Sequence, residues 1–222
     1  MKDQYFGDVN DYRKYGLLRA LLRGNDLRLL VGWMLTPDDG TSDGGRRAYL
    51  EDGAWRRHDP WLYDSLRAQL SGATPPRVAM AAEAELLPRA SYFAAPVQDS
   101  VETRLVWFEA LCEAAAGADF VFLDPDNGLP VRSVAPGRRG SGKYAQWREV
   151  ERLAAAGKSL LVYQHFPREP RAFYVARRVQ EIAAHTGAST VWSFATSSVL
   201  FLLAAQPAHE GAFRAAAQSN LG

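Results

Sequence analysis

Apolar positions along the chain follow two different spacings, one typical of amphipathic helices and one of buried strands. Helical spacing covers residues 9–24, 59–70, 101–117, 142–157 and 170–187. Asp8 is placed to cap the first of these helices, and Asp59 with Pro60 to begin the second. Short apolar runs at residues 27–35, 120–123, 159–166 and 189–206 predict buried strands, the last as two strands that meet near Thr196.

The order of these elements predicts the fold class. Helices alternate with buried apolar strands, which is typical of an open, mostly parallel sheet covered on both faces. The last two strands are close enough to form an antiparallel hairpin. We therefore expect a three-layer α/β sandwich that ends in a hairpin, built as a single domain over residues 1–222. Between residues 74 and 97, we expect two short strands, RVAMAA and ASYFAAPV, on either side of a turn at Pro88.

Composition and charge narrow the class of protein only a little. The 26 basic and 25 acidic residues leave a net charge of +1, so the overall charge does not identify a nucleic-acid-binding protein. The one cysteine, Cys112, excludes an intramolecular disulfide and lies in a helical pattern that favours a packed thiol. The sequence contains no 18-residue apolar run and no apolar leader at its start. We expect a cytoplasmic protein with no membrane partner.

Polar side chains gather where three of the predicted strands end. Ligands of open α/β sheets bind outside the carboxyl ends of the strands, so these positions form one candidate site. The predicted catalytic and ligand residues are Asp38, Asp39, Asp124, Asp126, Asn127 and His165. Converging carboxylates can bind a hard cation, accept hydrogen bonds from a ribose or an amine, or act as a general base. The alternative is that the acidic residues only cap turns, since Asp-Pro and Asn-Gly are common turn formers.

A glycine-rich stretch, PGRRGSGKYAQW, follows the central strand and leads into a predicted helix. Its basic groups and backbone donors suit a phosphate, and the predicted substrate-binding residues are Arg138, Arg139, Lys143 and Tyr144. The spacing is not that of a P-loop, because a tyrosine follows the lysine. A flexible loop with solvated arginines is the alternative to phosphate or nucleic-acid contact.

Two motifs resemble those of a known family. The strand that ends in Asp124-Pro125 is similar to the Asp-Pro-Pro-aromatic motif of the S-adenosylmethionine-dependent amino methyltransferases, whose α/β sandwich ends in an antiparallel hairpin. The opening YFGDVNDYRKYGLLRAL resembles the N-terminal segment of the large-subunit ribosomal RNA adenine-N6 methyltransferases and of the three-Cys-motif partner proteins. The resemblance implies a Rossmann-like fold, S-adenosylmethionine as cofactor and a nucleic-acid substrate. It places Asp124 at the target amine and Lys14, with Asp38 or Asp39, near the cofactor.

The sequence departs from that family at two places, and the departures keep other functions open. Asp126 and Asn127 stand where the family has a second proline and an aromatic ring, and Trp33 precedes the glycine-rich turn of the first strand. An acidic edge also suits a magnesium-dependent phosphodiesterase or nuclease. In that alternative Asp124 and Asp126 hold Mg²⁺, His165 activates water and Lys143 contacts phosphate. A third hypothesis is a non-catalytic nucleic-acid- or protein-binding module on the same scaffold.

Overall fold

The computed structural model describes residues 1–37, 44–72 and 74–219, and these residues form two compact units. The first unit consists of Met1, Leu27–Thr36 and Ala90–Arg214. The second consists of Lys2–Asp26, Pro37–Arg89 and residues 215–219. The single domain expected from the sequence stays a prediction.

A six-stranded sheet forms the centre of the first unit. Its strands are β1 (Leu29–Trp33), β2 (Ala90–Phe93), β3 (Phe120–Asp124), β4 (Ser159–His165), β5 (Thr190–Ala195) and β6 (Val199–Ala205). They lie in the order β2-β1-β3-β4-β6-β5, with β1 to β4 mutually parallel and β6 antiparallel to both of its neighbours. The predicted mostly parallel sheet and its antiparallel hairpin are confirmed.

The described residues contain seven α-helices, which are α1 (Val9–Leu21), α2 (Pro60–Leu70), α3 (Met80–Glu83), α4 (Val101–Ala114), α5 (Trp147–Ala155), α6 (Arg171–Thr186) and α7 (Pro207–Ser219). In the first unit, α4, α5 and α6 cover one face of the sheet, where Leu111, Val150 and Ile182 join a buried apolar cluster with strand residues. On the opposite face, Phe213 of α7 packs edge-on against Phe120 with ring centroids 5.1 Å apart. The predicted three-layer arrangement is therefore confirmed for this unit.

The second unit contains the first two helices, and both begin where the sequence predicts. The carboxylate of Asp8 accepts hydrogen bonds from the backbone of Asn10 and Asp11 at the start of α1. The carboxylate of Asp59 accepts one from the backbone of Leu62 at the start of α2, and Pro60 is the first helical residue. These caps satisfy backbone donors that have no partner inside a helix.

Three details of secondary structure differ from the sequence-based predictions. RVAMAA is not a strand, since Met80–Glu83 form a single helical turn, whereas Ala90–Phe93 do form the predicted strand β2. Helix α5 begins at Trp147, because the glycine-rich residues before it form a separate short turn at Ser141–Lys143. The sequence patterns did not predict α7. Among the described helices, none combines the length and the apolar character needed to cross a bilayer.

Candidate functional site

Four of the predicted catalytic residues lie at the edge of the first unit's sheet where the parallel strands end, here called the carboxyl edge. Asp124 is the last residue of β3, and Asp126 and Asn127 follow it. His165 is the last residue of β4, which is the parallel neighbour of β3. The structure therefore brings these four residues to one edge of the sheet, while their catalytic roles stay predictions. Asp124 is 1% exposed, while His165 is exposed.

Asp124 has aromatic neighbours on both adjacent strands. Trp33 is paired directly with Asp124 in the register of β1 and β3. Leu123 is paired with Val162 of β4, so the next residue of β4, Tyr163, is level with Asp124. Because side chains alternate between the two faces of a strand, Trp33, Asp124 and Tyr163 share one face. Trp33 is 1% exposed, and its indole N–H has no partner among the described residues. The carboxylate is thus placed among large aromatic side chains.

Tyr163 also contacts His165, the histidine that the sequence predicts in the site. The Tyr163 hydroxyl lies 3.3 Å from Nε2 of His165, and the two rings pack edge to face with centroids 5.1 Å apart. Neither Trp33 nor Tyr163 was among the predicted site residues. The signal that identifies them is strand register, since both occupy the same alternating positions as Asp124.

The carboxylate of Asp126 binds groups that lie near the end of β1. It forms an ion pair with the α-ammonium of Met1, and it accepts a hydrogen bond of 2.5 Å from the hydroxyl of Thr36. The same ammonium donates to the carbonyl of Met34 at 2.9 Å. The end of β1 and Asp126 together therefore form a set of acceptors that holds an α-ammonium.

The backbone between Asn127 and Leu129 is held by the side chain of Gln164. Oε1 of Gln164 accepts from the Leu129 N–H at 2.8 Å, and Nε2 donates to the Asn127 carbonyl at 2.9 Å. The His165 N–H donates to the same carbonyl at 3.1 Å. These bonds tie the loop after β3 to the end of β4, so Asn127 and His165 are fixed relative to each other.

Two backbone N–H groups of the glycine-rich loop donate hydrogen bonds to another side chain of the protein. The carboxylate of Asp99 accepts from the N–H of Gly142 at 2.6 Å and from the N–H of Gly140 at 2.7 Å, and it lies 3.4 Å from the Ser141 hydroxyl. Burial pushes the pKa of Asp99 upward, but these hydrogen bonds outweigh burial and hold the pKa below its usual value. The donors expected to bind phosphate therefore bind an internal carboxylate.

The basic side chains of the loops after β3 and β4, in contrast, have no acidic partner among the residues that the structure describes. Residues 128–148 contain five basic residues and no acidic residue. Two of the predicted residues, Arg138 and Arg139, are exposed, while Lys143 and Tyr144 are half-buried. Six basic side chains after β3 and β4 form no ion pair with any described residue. Five lie in the loops and one, Arg148, lies in the first turn of α5, namely Arg132, Arg138, Arg139, Lys143, Arg148 and Arg168.

Basic residues elsewhere in the first unit are mostly paired. Four arginines on its helices are paired with carboxylates, in the pairs Arg104–Glu149, Arg152–Glu109, Arg177–Glu169 and Arg178–Glu181. At the opposite edge of the sheet, Arg28 is paired with Asp119 at 3.0 Å. The loops of the carboxyl edge therefore carry most of the uncompensated positive charge of this unit.

Lys14, the predicted cofactor residue, belongs to a buried ionic cluster in the second unit. Its ammonium lies 2.8 Å from the carboxylate of Asp11, and both side chains are at most 3% exposed. Asp11 also accepts a hydrogen bond from the N–H of Gly7. Burial raises the pKa of the neighbouring Asp8, although its backbone hydrogen bonds act in the opposite direction. Asp38 and Asp39 lie outside the described residues.

The acidic residues of the described chain do not form a recognisable metal site. No group of three or more histidine, cysteine, aspartate or glutamate side chains among them is arranged to hold a metal ion. Of the two carboxylates considered for Mg²⁺, that of Asp126 is already paired with an ammonium. Asp126 would therefore have to release that ammonium in order to bind Mg²⁺.

The chemistry available at the carboxyl edge follows from these contacts. A buried carboxylate among aromatic rings can accept a proton or a hydrogen bond from a substrate, and the surrounding basic loops attract anions. No protein-family model matches the chain, and no curated protein matches its sequence.

Proposed function

We propose that the protein binds nucleic acid at the carboxyl edge of the sheet and modifies it by methyl transfer from S-adenosylmethionine. The observation that carries this proposal is the set of six basic side chains, on the loops after β3 and β4 and the first turn of α5, that form no ion pair with any described residue. These residues place a large anion beside a buried carboxylate. The fold, an α/β sandwich finished by an antiparallel hairpin, is the one that the family resemblance implies.

Charge pairing favours a polyanion over a small anion as the ligand. A small anion is bound by a compact set of donors, and the compact set in this region, the N–H groups of Gly140 and Gly142, is occupied by Asp99. These side chains are spread from Arg132 to Arg168, across the loops after β3 and β4 and the first turn of α5. A dispersed row of cations suits the repeating phosphates of a nucleic-acid backbone.

The acceptors at the end of β1 fit the amino-acid part of S-adenosylmethionine. That cofactor carries an α-ammonium, and the carbonyl of Met34 together with the carboxylate of Asp126 already holds such a group, that of Met1. In the proposal, Met34, Thr36 and Asp126 hold the cofactor's ammonium in place of Met1. When bound, the cofactor supplies an electrophilic methyl group.

Asp124 has the central role in the proposed reaction. Its carboxylate accepts a hydrogen bond from the substrate amine, orients the amine lone pair and takes the proton that the amine releases. Trp33 and Tyr163, on the same face, restrict water around that carboxylate. Gln164 keeps Asn127 and His165 fixed beside it.

The test is a pair of measurements on the purified chain. Isothermal titration calorimetry with S-adenosylmethionine measures cofactor binding, and transfer of a tritiated methyl group to RNA and DNA fragments measures activity. We expect binding and transfer for the wild type. We expect Asp124→Asn to bind the cofactor as well as the wild type does, and to lose about 10²- to 10⁴-fold in transfer rate.

Two other results would assign a different function. Heat of binding with Mg²⁺ or Mn²⁺, together with cleavage of plasmid DNA that depends on the metal, would establish the hydrolase alternative. Binding of nucleic acid that is unchanged in Asp124→Ala, with no heat from S-adenosylmethionine, would establish a binding module. Circular dichroism of each variant separates loss of function from loss of fold.

A further inference from the structure

An aromatic side chain at the start of α6 is exposed without a packing role. Phe173 is 76% exposed, more than any other large apolar side chain among the described residues. The buried side of α6 consists of Tyr174, Arg178 and Ile182, spaced four residues apart. Phe173 lies outside this stripe, so the core does not explain a phenylalanine at this position.

The surroundings of Phe173 are basic and structurally anchored. The guanidinium of Arg171 stacks over the ring of Phe166, 5.0 Å from its centroid, and donates to the carbonyl of Ser197. Arg168, in the loop just before the helix, forms no ion pair within the described part of the chain. The carboxylate of Glu169, next to Arg168 in the chain, is paired with Arg177 at 2.6 Å. The surface around the ring is therefore net positive.

We propose that Phe173, with Arg168 and Arg171, is a stacking platform for the unpaired bases of single-stranded nucleic acid. This inference rests on the proposed function and narrows its substrate class. An exposed ring offers a flat π-face that an unstacked base can cover, whereas the bases of a duplex are covered by their neighbours. The basic side chains hold the phosphates on either side of the stacked base.

The position of the platform makes it part of the same site. Helix α6 follows β4, so its first turn lies at the carboxyl edge, close in the chain to His165. The hydroxyl of Tyr174 donates to the carbonyl of His165 at 3.3 Å, which links that turn to the end of the strand. A strand held on Phe173 is thus brought to the edge where Asp124 lies.

The test compares single-stranded and duplex ligands on exposed-residue variants. Fluorescence anisotropy is measured with a labelled single-stranded oligonucleotide and with the duplex of the same sequence. We expect the wild type to prefer the single strand. Phe173→Ala is expected to weaken single-strand binding by about 5- to 100-fold and to leave duplex binding unchanged.

Two further variants control for exposure and ring chemistry. Phe173→Trp keeps a stacking surface and is expected to retain the wild-type affinity. Val106→Ala removes a side chain of similar exposure, 72%, on α4, and is expected to change nothing. Because both changed residues are exposed, neither variant is expected to impair folding.

The outcomes separate this inference from the proposed function. Equal binding of single strand and duplex, with no effect of Phe173→Ala, overturns the stacking platform and leaves nucleic-acid binding intact. No binding of either ligand by the wild type overturns both. If Phe173→Ala changes only the apparent mass in size-exclusion chromatography, the ring is a contact between copies of the chain and the inference is wrong.

Discussion

The side-chain amide of Gln164 fills the space beside Gly128. A Cβ atom at position 128 would lie 2.4 Å from the Cδ atom of Gln164, and the glycine has a φ of +120°, a backbone conformation that side chains disfavour. Two separate constraints therefore require glycine at this position. One is the backbone conformation, and the other is the lack of room for a Cβ atom. The turn after β3 depends on this glycine as much as on the aspartates.

The first prediction concerns replacement of this glycine. We expect Gly128→Ala to lower the free energy of unfolding by about 2–5 kcal/mol, because the left-handed backbone and the clash with Gln164 both raise the free energy of the folded variant. Gly157→Ala, with a φ of +77° and no atom within 4 Å, is expected to cost about 1–2 kcal/mol. Gly117→Ala has neither problem and is expected to stay within about 0.5 kcal/mol of the wild type.

Urea denaturation of the three variants measures these differences. The order of the three effects is the decisive result. Equal effects at positions 128 and 157 would show that Gln164 moves aside without cost.

Much of the fold could be predicted from the sequence because its signals are local. Asp8, Asp59 and Pro60 identify helix starts through contacts within a few residues of the chain. Buried parallel strands appear as apolar runs. RVAMAA was assigned wrongly because a short apolar run does not distinguish a strand from one helical turn.

The candidate site was only partly predictable because its contacts join distant parts of the chain. The sequence identified Asp124 and His165 from their positions at strand ends. It gave no sign that Asp99 occupies the donors of the glycine-rich loop, about forty residues further along the chain. Such pairings depend on tertiary structure, so the same local pattern is compatible with a bound phosphate or with an internal carboxylate.

The second prediction compares two ion pairs that join the same helices, α4 and α5. Arg104 and Glu149 are 1% and 2% exposed, whereas Arg152 and Glu109 are each 52% exposed. We expect Glu149→Gln to destabilise the protein by about 3–5 kcal/mol, since it leaves a buried guanidinium without a counter-charge. Glu109→Gln is expected to have no measurable effect, because water screens the exposed pair.

Urea midpoints of both variants check this prediction. The double replacement Arg104→Met with Glu149→Leu is expected to recover much of the lost stability, because neither charge of this pair then remains buried. A loss of similar size in Glu109→Gln would contradict the explanation by burial.

The third prediction is a pH dependence that comes from Asp119. Its hydrogen bonds and ion pair with Arg28 lower the pKa of the carboxyl to about 2. A lowered pKa means that the ionised form is favoured in the folded state. The stability from this pair is therefore present above the unfolded pKa of about 3.9, and it is lost as the pH falls through about 2.

The measurement is the difference in urea midpoint between the wild type and Asp119→Asn at several pH values. We expect the wild type to be more stable near pH 5, and the difference to shrink steadily from about pH 4 to pH 2. A difference that stays constant over this range would mean that Asp119 does not titrate with the predicted pKa.

The fourth prediction concerns the salt dependence of nucleic-acid binding. If Arg138 and Arg139 neutralise phosphates, their binding releases counterions, and each contributes about 0.7 to the slope of log affinity against log salt for a single strand. We expect the double variant Arg138→Ala with Arg139→Ala to reduce that slope by about 1.4.

Arg28→Ala, at the opposite edge of the same sheet, is the control and is expected to leave the slope unchanged, because Asp119 already pairs with that arginine. Fluorescence anisotropy titrations at salt concentrations between about 50 and 200 mM measure the slope for each protein. Equal slopes for the wild type and the double variant would show that the loop arginines do not contact phosphate, and the nucleic-acid interface would then have to be sought on another surface.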